Sequence, residues 1–126
     1  MKFLKSLFLF HSLVTFIAGI VLMVNPSFIP HLAGQALSPE GYLVARLLAA
    51  AEFSISFFSL CGALTQHSSL QKIISMSAII FHFFSLVPES LSYMQQPVIT
   101  LLINIIARVI IIGLFASAIL FLKKRN

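Results

Sequence analysis

Four ionisable side chains stand deep inside apolar runs of this chain: Arg46, Glu52, His82 and Arg108. On insertion scales each costs about 2.5–3.5 kcal/mol at the centre of a bilayer, so such groups mark mutual neutralisation or a site. A carboxyl and an imidazole at one depth are the parts of a proton relay. A carboxylate and a guanidinium in contact neutralise each other and oppose that role.

Spacing sorts these residues onto helix faces. In the second apolar run Ala45, Ala49, Glu52, Ser56, Ser59 and Ala63 form one small and polar stripe. In the third run Ser75, Ala78, His82, Ser85 and Glu89 do the same, and in the fourth Asn104 and Arg108 are i,i+4 neighbours. His11, Thr15 and Gly19 make a weaker stripe in the first. Small residues let membrane helices approach, and polar ones bond across the interface. The expectation is a polar seam with Arg46, Glu52, His82, Glu89, Asn104 and Arg108 as its candidate members. Two readings follow. In the structural one, Glu52 pairs with Arg108, Arg46 meets Glu89, and His82 hydrogen-bonds nearby. In the functional one, the seam lines a small-ligand or proton site.

Other residue types carry less. The lone Cys61 excludes an internal disulfide and a CxxC pair, and reads as a small core residue. His11 reads as an interhelical hydrogen bonder, and His31 and His67 as solvated loop residues at opposite faces. The chain has no HxxxH or HxxE spacing, no GxSxG, no P-loop and no GxGxxG. The sequence therefore predicts no catalytic residues, no metal ligands and no cofactor.

The elements that must position these side chains are set by composition. The chain has 126 residues, 60% hydrophobic and 9% charged, with a mean hydropathy of +1.07. Soluble domains carry about 25% charged residues, so a water-soluble globule is excluded. The net charge of +5 and the pI near 9.9 would suggest a nucleic-acid partner in another setting. Here six of the eight basic residues, Lys2, Lys5, Lys72, Lys123, Lys124 and Arg125, flank apolar segments. That pattern sets topology and predicts no nucleic acid.

Four spans are expected, over about 7–24, 42–64, 73–94 and 98–122. Lys2 and Lys5 raise a cleaved signal peptide, but the first run exceeds an h-region and no small-x-small site follows, so it reads as a retained span. Asn25-Pro26 ends it. Ser38-Pro39-Glu40 reads as N-cap, first helical position and dipole partner for the second span. Residues 25–41 carry three prolines with Phe28, Ile29, Leu32 and Leu37, which suits a segment in the membrane interface. Pro88 is expected inside, or at a kink of, a helix that continues towards Met94. The fold class is thus all-α: a polytopic membrane four-helix bundle, one domain over 1–126, with a short interfacial segment between spans one and two.

Orientation follows from the same charges. With four spans, all six flanking basic residues fall on one side and none on the other. The expectation is a bacterial inner-membrane protein with both termini in the cytoplasm. A rise of about 1.5 Å per residue puts Glu52, His82 and Arg108 each near the midplane, with Arg46 shallower, near the depth of Glu89.

The run from Asn25-Pro26 through Leu37-Ser38-Pro39-Glu40-Gly41 to Ala45-Arg46-Leu47, followed by Ala49-Ala50-Ala51, resembles the DoxX-like small four-helix membrane proteins. The specific part covers about residues 25–52. Alanines stand where that family's pattern leads one to expect glycines, and Glu52 is outside the pattern. The resemblance implies the four-span fold, and a link to membrane oxidation for some members. Small multidrug exporters are similar in size and in having a membrane glutamate. Theirs is in the first helix beside Trp and Tyr, whereas here the first span has no acid and the chain has no Trp.

Three functions are therefore weighed. The first is a non-enzymatic membrane protein, a partner subunit or a binder of a small apolar molecule or lipid in the seam. The second is a small proton-coupled transporter using Glu52 and His82. The third is a DoxX-like redox component. The partners implied are the lipid bilayer and either a small apolar ligand or another membrane protein.

Overall fold

The computed structural model describes residues 2–123, apart from the side chains of residues 121 and 123. The Lys124-Arg125 tail and the Lys123 side chain, which enter the charge argument, lie outside the described residues. The described chain is helical: α1 (Lys2–Val24), α2 (Phe28–Leu32), α3 (Pro39–Leu64), α4 (Ser68–Gln95) and α5 (Ile99–Lys123). The four long helices have the length and apolarity to cross a membrane. The fold is all-α, consistent with a polytopic membrane bundle. Helices satisfy their own backbone groups, which hydrocarbon cannot do for them.

The helices outrun the apolar stretches that revealed them. α1 begins at Lys2 rather than Leu7, and α4 at Ser68 rather than Ile73. Hydropathy sees where a span leaves lipid, whereas the backbone coils on until a cap or turn stops it. α4 also continues through Pro88 to Gln95.

Local chemistry sets the ends. Ser38 is extended (φ −72°, ψ 165°), and its Oγ accepts from the Gly41 N–H at 3.4 Å. Pro39 follows at the first helical position, where a missing N–H costs nothing. The segment between α1 and α3 contains α2, a single short helix, and His31 belongs to it rather than to a loop. Gly34 follows with φ 73°, and a Cβ there would come within 2.9 Å of Val98 Cγ2. Only glycine meets both demands. The Thr100 hydroxyl donates to the Leu32 carbonyl and ties α2 to the start of α5.

Two pairs build the bundle: α1 packs on α3 and α4 on α5, with α3 against α4 joining them. One core gathers Leu4, Phe8, Ala63, Ile74, Phe115 and Leu122. It puts the start of α1, the α3–α4 turn and the end of α5 together. A smaller core of Leu22, Ala45 and Ala49 lies at the opposite end. Every member of the α3 stripe is buried, as are His11, Thr15 and Gly19. On α4 Ser75, Ala78 and His82 are buried, while Ser85 and Glu89 are half-buried. Large side chains such as Leu47, Phe84, Ile103 and Ile110 face outward. Cys61 is a free, half-buried thiol beside the first core.

Candidate functional site

Each long helix gives the interior a polar group, and these groups meet end to end. On α1 and α3, His11 Nδ1 lies 2.7 Å from Ser59 Oγ. Across to α4, His11 Nε2 lies 2.7 Å from His82 Nε2. His82 Nδ1 then sits 3.0 Å from Nη1 of Arg108 on α5. Glu89 Oε1 accepts from Arg108 Nε and Nη2, both at 2.8 Å, and from Asn104 Nδ2 at 2.9 Å. The rings are edge-on to one another, with His11 against His82 and against Phe115, centroids 5.0 Å apart in each case. Beside this chain Ser56 Oγ donates to the Ser12 carbonyl at 2.8 Å and fastens α3 to α1 again.

The donor inventory fixes where the protons are. Arginine only donates, so His82 Nδ1 accepts. His82 is then a neutral ring with its proton on Nε2, which donates to His11 Nε2. His11 in turn has its proton on Nδ1 and donates to Ser59. The hydrogen bonds therefore all run one way, from Arg108 through His82 and His11 to Ser59. Reversing them would require the guanidinium to accept a hydrogen bond, which its chemistry does not allow. In this arrangement His82 has no free lone pair with which to take up a proton.

The site candidates divide. His82, Glu89, Asn104 and Arg108 are brought into one hydrogen-bonded chain. Glu52 is buried on α3, 6% exposed, and has no hydrogen-bond or ion-pair partner among the described residues. Arg46 is exposed and likewise has none among the described residues. Thus the expected Glu52–Arg108 and Arg46–Glu89 contacts do not form; the ion pair present is Glu89–Arg108. The reason is azimuth. Glu52 and Arg108 share a depth, but α3 packs mainly on α1 and α5 on α4. Arg108 therefore meets the acid on its neighbouring helix. With Glu89 taken, Arg46 is left near the start of α3, where a long cationic side chain can reach the interface.

His11 has a larger part than its residue type announced. Expected as an interhelical hydrogen bonder, it joins three helices at once, with Ser59 on α3 at one ring nitrogen and His82 on α4 at the other. Two polar atoms are buried without a partner among the described residues: Ser75 Oγ and Glu89 Oε2. Asn104 also lines an outward cavity of about 200 Å³ with Ile29, Leu32, Thr100 and Ile103. Glu89 is thus one hydrogen bond away from this opening. No group of three or more His, Cys, Asp or Glu suited to a metal occurs among the described residues.

Comparison with known protein families, curated proteins and solved structures gives no match.

Proposed function

We propose that this membrane protein is a non-enzymatic binder of a small apolar molecule or lipid, held where the seam opens between α2 and α5. The observation that carries the reading is Glu89. Its Oε1 takes three donors, while its buried Oε2 has none. A buried acceptor without a donor is costly. A hydroxyl or amine at the head of an apolar molecule would supply that donor, with the body of the molecule in the cavity beside Asn104. We place the protein in a bacterial inner membrane with both termini in the cytoplasm, and keep DoxX-like membership as a proposal on residues 25–52.

The test is mass spectrometry of small molecules that co-purify in mild detergent. Ile103 is 59% exposed at the cavity wall, so Ile103→Trp fills the cavity without crowding the core. The wild type should retain a species that the variant loses several-fold, at an unchanged melting temperature. Equal recovery from both proteins, or none from either, defeats the reading.

A second reading, a small proton-coupled transporter, has one observation in its favour: a buried carboxyl at Glu52 with no described partner. His82 could join it only after Arg108 had swung away from Nδ1. Uptake into proteoliposomes with and without a pH gradient, wild type against Glu52→Gln, separates the two readings.

A further inference from the structure

A cleft of about 240 Å³ opens at the end of the molecule that holds the start of α1 and the α3–α4 turn. Lys2 and Lys5, exposed and three residues apart on one helix face, form one wall. Thr65, Gln66 and Gln71 form the other. That second wall is a built one. Gln71 is 6% exposed, and its Nε2 donates to the carbonyls of Gly62 at 3.3 Å and Thr65 at 3.2 Å. Thr65 Oγ1 accepts from the His67 N–H at 3.2 Å. The turn is therefore fixed in shape. The acids Glu40, Glu52 and Glu89 all lie elsewhere, and neither lysine has an ion-pair partner among the described residues.

We propose that this cleft binds a phosphate group, and that in the bilayer the phosphate is the headgroup of an anionic lipid. The level is right for one. The apolar run of α1 begins at Leu7, just past Lys5, and α3 ends at Leu64, just before Thr65. The cleft therefore lies where the helices leave hydrocarbon, at the depth of lipid phosphates. Lysines supply mobile ammonium donors for phosphate oxygens, and the threonine and glutamines add neutral polar contacts. At such a surface each lysine favours an anionic lipid about fivefold, so two give roughly 30-fold over a zwitterionic one. Lys72 provides a control at the same end, because it lines a different groove with Ile73 and Met76.

Native mass spectrometry in mild detergent, with equal phosphatidylglycerol and phosphatidylcholine, reads the preference directly. The wild type should retain phosphatidylglycerol at least about 10-fold over phosphatidylcholine. Lys2→Gln with Lys5→Gln should fall to near parity, Lys2→Arg with Lys5→Arg should keep the preference, and Lys72→Gln should leave it intact. Parity in the wild type overturns the proposal. So does an equal loss in Lys72→Gln, which would mean a diffuse basic field and no site. Calorimetric titration with inorganic phosphate distinguishes the source. No binding assigns the lipid, whereas binding as tight as that of the lipid assigns free phosphate and overturns the headgroup.

Discussion

At the scale of single residues, the seam is governed by what arginine cannot do. Because Arg108 only donates, the neutral forms of His82 and His11 follow without choice. Nitrogen-15 NMR of histidine-labelled protein should therefore show His82 unprotonated at Nδ1 and His11 protonated there. Two rings with the proton on Nε2 would contradict the chain of bonds. Stability is expected to divide the two membrane glutamates. Removing one partner of a buried ion pair leaves an uncompensated charge and costs about 3–5 kcal/mol. Glu89→Gln should lower the melting temperature clearly, and Glu89→Leu with Arg108→Leu should regain much of the loss. Glu52→Gln breaks no described contact, so its melting temperature should stay close to that of the wild type. A larger fall for Glu52→Gln than for Glu89→Gln would show that Arg108 exchanges acids.

At the scale of helices, close approach is what lets the polar groups meet. Gly62 shows the tolerance. A Cβ there would stand 2.9 Å from two atoms of the Phe8 ring. Phe8 is fully buried and tilted against Phe115 with centroids 5.5 Å apart, so the ring has nowhere to go. Gly62→Ala should destabilise by about 1–3 kcal/mol, the usual cost of overpacking. Thermal unfolding in detergent measures this, and Gly113→Ala, with nothing within 4 Å of its Cβ, is the control that should lose little. The small residues at helical spacing were legible in the sequence as a buried face because lipid gives large side chains no reason to turn inward. Which helix each face meets was not legible. Periodicity gives an angle about one axis and says nothing of the neighbour.

At the scale of the whole molecule, the shared end of Leu4, Ala63 and Leu122 makes an even number of crossings the simplest topology. Reporter fusions after Gln66 and after the last residue should read the same side, and a fusion after Gln35 the other. If the charge bias of Lys2, Lys5 and Lys72 governs insertion, the shared side is the cytoplasm. A C-terminal fusion on the side of the Gln35 fusion would break the topology. The sequence alone determined the all-helical class, the four long apolar helices, the Ser38 cap, and the common depth of His82 and Arg108. Each follows from hydropathy, local backbone chemistry or a fixed rise per residue, and these need no partner. The tertiary structure alone decided that Arg108 takes Glu89 and leaves Glu52 and Arg46 aside. It also put His11 at the centre of the seam. Ion pairs in a bundle are chosen by which helices lie side by side, and that choice is made by packing across the whole molecule, where residues of equal depth can still stand on helices that are not each other's main neighbours.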